Sequence, residues 1–137
     1  MSENKFRVVA YLRVATTSQL GDEVILEGHS IGIRSYAERS GMQVVGEVRA
    51  CEKGAIKNRP GWSKALQLAA REDADGICVI KLNHVARGAD ALECFLTDLE
   101  RRHLQLITCD QDLAAAKSLL DIRHRLFSKA AVNTQNT

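Results

Sequence analysis

Arginine, hydroxyl and histidine side chains fall in three short polar stretches of this 137-residue chain. The first is Arg13-Val14-Ala15-Thr16-Thr17-Ser18-Gln19, the second leads through Asn58 and Arg59 to the only proline, Pro60, and the third is Lys81-Leu82-Asn83-His84-Val85-Ala86-Arg87. A guanidinium group donates paired hydrogen bonds at fixed geometry, which matches phosphate and carboxylate oxygens. Hydroxyls such as Thr16 and Ser18 are in principle oxygen nucleophiles. One at a time these signals are bland, because a lone arginine is ordinarily solvated and loop hydroxyls usually satisfy nearby backbone groups. His84 reads as a partly exposed loop histidine with no companion. Neither His29 nor His103 stands at metal-ligand spacing from a cysteine or carboxylate, so no metal is expected. No glycines form a G-x-G-x-x-G or P-loop pattern, which argues against a nucleotide cofactor, and no cofactor of any kind is expected. The cysteines Cys51, Cys78, Cys94 and Cys109 never approach C-x-x-C spacing, and three lie in apolar stretches where a free thiol behaves as a small hydrophobe. They read as reduced.

The elements that must position these residues follow from hydrophobic patterning. Hydrophobic residues make up 45% and charged residues 26% of the chain, the mixture of one ordinary globular domain. Lysine and arginine total 19 against 17 aspartates and glutamates, a net charge of +2, too balanced to mark a nucleic-acid binder from bulk charge. The start, Met1 to Lys5, lacks a signal-peptide pattern, and no run reaches the ~18 apolar residues of a membrane span. A cytoplasmic location and no membrane partner are expected. Arg7 to Leu12 reads as a buried first strand opening into the Ala15–Gln19 loop. From about Val24 to Ser40, Leu26, His29, Ile33, Tyr36 and Ala37 recur at helical spacing, although Gly28 and Gly32 weaken that helix. Met42 to Val48 makes a second strand, residues 51–58 a mobile polar loop, and Pro60 starts a helix whose stripe is Trp62, Ala65, Leu66 and Ala69. The continuous apolar run Ile77–Ile80 suits a parallel strand covered on both faces and serves as the expected centre of the sheet. Leu92, Phe95, Leu96 and Leu99 give a third helix, Leu104–Thr108 another strand, and Gln111 to about Ala130 a last helix. Alternating strands and helices predict an α/β fold: an open, mainly parallel sheet of four or five strands flanked by helices, with a C-terminal helix. The expected division is 1–110 for the sheet domain, 111–130 for the last helix and 131–137 for a disordered tail. In such sheets sites lie at the carboxyl ends of the strands, where the Ala15–Gln19 and Asn83–Arg87 loops fall.

Three segments together resemble the catalytic domain of the serine recombinases, the family of resolvases, invertases and large serine integrases. Tyr11-Leu12-Arg13-Val14-Ala15-Thr16-Thr17-Ser18-Gln19 is similar to the family's Y-A-R-V-S-T-x-x-Q. Asn58-Arg59-Pro60-Gly61-Trp62 is similar to N-R-P-G-L, and Lys81 to Arg87 to K-L-D-R-L-x-R. Leu26-Glu27-Gly28-His29 stands where L-E-x-Q is usual. Each motif has few fixed letters, but their order and spacing over residues 7–110 make the set specific. The resemblance implies a resolvase-like fold and metal-free site-specific DNA recombination, in which a serine hydroxyl attacks a phosphodiester, forms a phosphoserine link, and is assisted by arginines around the phosphate. Position by position it places Arg13, Arg59 and Arg87 at the phosphate and Gln19 in the first motif.

The same comparison puts Ala15 at the place of the nucleophile. A methyl group cannot attack phosphorus. Asn83 stands for an aspartate and His84 for an arginine, so a permanent cation is replaced by a side chain that is ordinarily neutral at pH 7. The leading expectation is therefore an inactive homologue, a pseudoenzyme acting through protein contacts, as a homodimer or as a heterodimer with an active serine recombinase. One alternative is a divergent recombinase that uses Ser18, Thr16 or a partner's serine; another is a small anion-binding α/β module. In the family a long helix after the sheet carries subunit and DNA contacts. Here the last helix has the apolar stripe Leu119, Ile122 and Leu126 with Phe127 beside it, and a basic cluster, Lys117, Arg123, His124, Arg125 and Lys129 against Asp121, that could track the DNA phosphate backbone. No helix-turn-helix or zinc module is evident in the sequence.

Overall fold

Val8 to Leu12 are enclosed almost completely, none more than 1% exposed, and a strand without polar alternation must be covered on both faces. They form the middle of β1 (Phe6–Val14), on which the rest of the chain is built. The computed structural model describes residues 5–15, 20–110 and 112–135, the side chains of 20–22, 112, 115 and 127–135 excepted. Strands β2 (Met42–Cys51), β3 (Gly76–Val79) and β4 (Gln105–Thr108) complete a sheet of order β2-β1-β3-β4 in which every pair is parallel. Helices α1 (Leu20–Ser40), α2 (Pro60–Arg71), α3 (Ala89–Arg101) and α4 (Asp112–Gln135) alternate with the strands. The expected α/β class and open parallel sheet are found, with four strands.

The side-chain alternation of β1 divides the core. Val8, Ala10 and Leu12 pack with Ile33 of α1 and Cys78 on one face, while Val9 and Tyr11 pack with Trp62, Ala65 and Ala69 of α2, and Phe95 and Leu99 of α3, on the other. Arg13 continues the Val9–Tyr11 face at the carboxyl end of the strand, which aims it toward α2.

Several details differ from the sequence reading, among them the end of β2, which runs to Cys51 and not to Val48. The centre of the sheet is shared by β1 and β3, because β1 is paired along both of its edges. Helix α1 extends unbroken across Gly28 and Gly32; at Gly32 a Cβ would stand 3.1 Å from Ile80 Cδ1, so the missing side chain lets the helix lie close to the sheet, and tertiary packing overrides propensity. Helix α4 runs to Gln135, so residues 131–135, expected to belong to a disordered tail, have helical backbone. No glycine or proline follows Ala130 to stop it.

Helix α4 is strapped over α3 by Arg123 Nη2 to Asp90 Oδ1 at 2.6 Å and His124 Nε2 to Glu93 Oε1 at 2.7 Å. Leu120 is buried beneath it, whereas Leu119, Ile122 and Leu126 are exposed by 66%, 48% and 64%. The Phe127 side chain lies outside the described residues. Among those residues no helix is long and apolar enough to cross a membrane.

Candidate functional site

Arg59 is held by its sequence neighbours. A residue before proline is driven to extended backbone, and Arg59 adopts φ −95°, ψ 119° as the N-cap of α2, with Pro60 in the first turn. Its side chain therefore leaves the helix and reaches under the 52–58 loop, where Nε donates to the Gly54 carbonyl at 3.0 Å and Nη1 to the His84 carbonyl at 2.6 Å. Arg13 meets the same loop from the end of β1, its Nε donating to the Glu52 carbonyl at 2.8 Å. Both arginines are buried, at 7% and 9% exposure.

Glu52 is the brace of this region, and it was missed in the sequence, where it lay in a loop read as mobile. Its carboxylate accepts from the Tyr11 hydroxyl at 2.5 Å and from the backbone N–H groups of Gly61 at 2.7 Å and Trp62 at 3.1 Å. An acidic group at a helix N-terminus satisfies otherwise orphaned donors and suits the helix dipole. Gly61 is required for that approach: a Cβ there would lie 2.5 Å from Ala50 Cβ and 2.8 Å from Glu52 Oε2. Burial, and after it the hydrogen bond to Glu52, push the Tyr11 phenol above its ordinary range. Tyr11 in turn meets Trp62 edge-on, with ring centroids 5.2 Å apart, and Trp62 lies 5.0 Å from Phe95.

These braces shape a cavity of about 970 Å³. Arg13, Arg59 and Arg87 all line it, together with Ala15 and Asn83; Trp62 and Phe95 contribute aromatic walls, and Lys53, Lys57 and Arg102 add cations that sequence reading did not single out. Burial, followed by the like charge of Arg59 and, more weakly, of Arg87, presses the Arg13 guanidinium below its usual value. Those groups are thus near enough to oppose one another, and an anion would relieve the repulsion. Ala15 is exposed just beyond the end of β1, while Asn83 and Arg87 are exposed on the loop after β3. Gln19, Thr16 and Ser18 lie outside the described residues.

His84 departs from its sequence reading. It has a companion, His29 of α1, with ring centroids 5.3 Å apart, and its Nδ1 is shut from solvent. Local spacing could not reveal a contact between elements so distant in the chain. Burial first, then the charges of His29, Arg13 and Lys81, lower His84 to about 4, so it is neutral at pH 7. On α4, Lys117 and Arg125 are exposed, Arg123 is paired with Asp90, and the Lys129 side chain lies outside the described residues. The basic cluster is thus partly offset by acids of α3. Arg123 also borders a small cleft of about 190 Å³ between α3 and α4, walled mostly by alanine and leucine. Among the described residues no group of three or more histidine, cysteine or acidic side chains is arranged to hold a metal.

The fold and site define an open-sheet α/β domain with an arginine-lined cavity at the carboxyl ends of its inner strands. The family model "Resolvase, N terminal domain" matches residues 8–129, and the chain belongs to that family, the catalytic-domain family of the serine recombinases related to site-specific DNA recombination. Solved structures similar to it include the N-terminal catalytic domain of TP901-1 integrase, at 20% identity and TM-score 0.68, covering 88% of this chain and 98% of that one. Others are the C-terminal catalytic domain of ISC1926 TnpA, an IS607-like serine recombinase (21%, TM-score 0.61, 90% and 84%), and a resolvase-family site-specific recombinase from Streptococcus pneumoniae (18%, TM-score 0.64, 94% and 95%). At these identities the likeness is one of fold. A comparison with curated proteins found no match.

Proposed function

We propose that this chain is a catalytically inactive serine-recombinase-like protein of the cytoplasm that acts as a regulatory or interaction subunit, pairing with itself or with an active recombinase. The observation that carries the reading is Ala15: it borders the arginine-lined cavity and presents a methyl group at the place of the motif's serine. Arg13, Arg59 and Arg87 would hold a DNA phosphate there, with Asn83, His84 and Gln19 as altered or accessory members of the site. Lys117, Arg123, Arg125 and Lys129 would follow the DNA backbone. Neutralising a buried pair of guanidinium groups favours anion binding even without turnover.

The experiment that tests the subunit role is sedimentation of the chain alone and mixed with an intact serine recombinase. Association is expected through the exposed Leu119, Ile122 and Leu126 stripe. Leu126→Asp, at an exposed position where folding tolerates a charge, is expected to dissociate both the self-pair and the mixed pair. A monomer that ignores the recombinase and is unchanged by Leu126→Asp would remove the role.

Anion binding is checked separately by thermal stabilisation with inorganic phosphate. Arg87 is exposed and, among the described residues, makes none of the hydrogen bonds that brace the site, so Arg87→Ala is expected to leave melting without phosphate unchanged while weakening phosphate binding roughly tenfold. Equal phosphate stabilisation of the two proteins would take Arg87 out of the site.

A further inference from the structure

Two positions at which this chain departs from the recombinase motifs both carry histidine. His29 stands where L-E-x-Q has glutamine, and His84 where K-L-D-R has arginine. The fold brings these two substitutions into contact, His29 from α1 and His84 from the 3-10 turn Leu82–His84 that follows β3. Their rings are tilted by 40°, and the Nδ1 atom of each is enclosed with no hydrogen-bond partner among the described residues. One orphaned buried nitrogen calls for an explanation; two at one contact point to a shared role.

The charged groups acting on the pair come from several elements. Lys81 precedes the turn and acts on both rings; Arg13 at the end of β1 and Asp110 after β4 act on His84. Arg59 is joined to His84 through the main-chain carbonyl. A metal is poorly served here, since no third ligand joins the pair among the described residues and two of the three side chains that press on it are cationic.

We propose that His29 and His84 are positioning residues for the arginine cavity: as uncharged rings they pack the 82–84 turn against α1 and hold the His84 carbonyl where it fixes Arg59. Protonation sets the two rings against each other and against Lys81 and Arg13, a repulsion that exceeds the weaker attraction of Asp110, and the turn, with Asn83 and the acceptor of Arg59, moves away. Burial and the neighbouring cations lower both histidines from their usual value, His84 to about 4, so the packed arrangement is the one present at neutral pH. The proposal rests on the anion-binding reading of the cavity for its consequence, though not for its geometry.

Two readouts on the whole chain separate the pair from the cavity. The first follows the His84 ring and the Arg59 Nε–H resonance by NMR as pH is lowered, without ligand, over the range in which far-UV circular dichroism is constant. The Arg59 signal is expected to move with the His84 midpoint, and to do so with a smaller amplitude in His29→Gln, where the facing ring cannot charge and only Lys81 and Arg13 still oppose His84. The second measures sulfate affinity, sulfate keeping both charges down to about pH 4. Positioning predicts that the affinity falls by about half or more between about pH 7 and pH 4, and by clearly less in His29→Gln. Mere addition of positive charge predicts tighter binding in acid. An Arg59 signal indifferent to the His84 titration, an affinity that rises with acid, or the same profile in His29→Gln would overturn the proposal. If Arg59 follows His84 while sulfate fails to bind at any pH, the positioning stands and the anion-binding reading falls.

Discussion

Incubated with supercoiled DNA and denatured, the chain is expected to leave no covalent protein–DNA adduct. The step that would form one needs an oxygen on the protein to displace a DNA oxygen from phosphorus, and Ala15 brings only a methyl group to the cavity that Arg13, Arg59 and Arg87 line. Arginines stabilise charge that develops on phosphoryl oxygens, but they cannot supply the bond. For scale, removing the serine nucleophile of an unrelated protease costs on the order of 10⁶ in rate. Ala15→Ser is expected to fall well short of normal cleavage, because Asn83 still lacks the carboxylate and His84, held near 4 by burial and neighbouring cations, supplies no charge at pH 7. An adduct on the unmodified chain, mapped to Ser18 or Thr16, would establish the divergent-enzyme alternative. An adduct found only on an added active recombinase would agree with the subunit role. Vigorous cleavage by Ala15→Ser alone would show that Asn83 and His84 matter little.

Sequence order was enough for the architecture, since the enclosed run of β1, the stripe of α2 and the stripe of α3 each declare their element by local period. Placement of Arg59 was also legible in retrospect from Arg59-Pro60-Gly61: proline forces the arginine out of the helix, and glycine admits the carboxylate that caps it. Glu52 itself was not legible. Its partners are Tyr11, far earlier in the chain, and two backbone groups of a helix not yet begun, and a polar loop gives no local sign of such bonds. The same limit hid the His29–His84 contact and the Arg123–Asp90 and His124–Glu93 pairs, all of which join residues that share no helical or strand period. The exposed stripe of α4 differs again: the period that marks a helix face as apolar is indifferent to whether that face meets its own sheet or another chain.

The largest effect on stability is expected at Glu52. Its carboxylate completes three bonds at once, and its removal in Glu52→Ala takes the acceptor from the hydroxyl proton of Tyr11, a side chain 0% exposed whose oxygen then has only Arg59, while leaving the first turn of α2 without an acceptor. A buried hydroxyl proton without an acceptor and a lost helix cap together are expected to cost roughly 2–4 kcal/mol, a fall of roughly 10 °C in melting temperature for a domain of this size. Glu52→Gln keeps an oxygen acceptor and should lose less. The coupling is testable by a double-mutant cycle: Tyr11→Phe is expected to destabilise the unmodified protein more than it destabilises Glu52→Ala, where the hydroxyl has already lost its carboxylate acceptor and has only Arg59 to lose. Additive effects, or a Glu52→Ala protein that melts within about 2 °C of the original, would show that the carboxylate does not brace the site. Loss of the brace should also reach the cavity. Gly61 and Trp62 follow directly on Arg59 and Pro60, so a loosened α2 N-terminus frees the backbone that presents the Arg59 guanidinium, and phosphate binding should weaken in Glu52→Ala even at temperatures where the fold is intact.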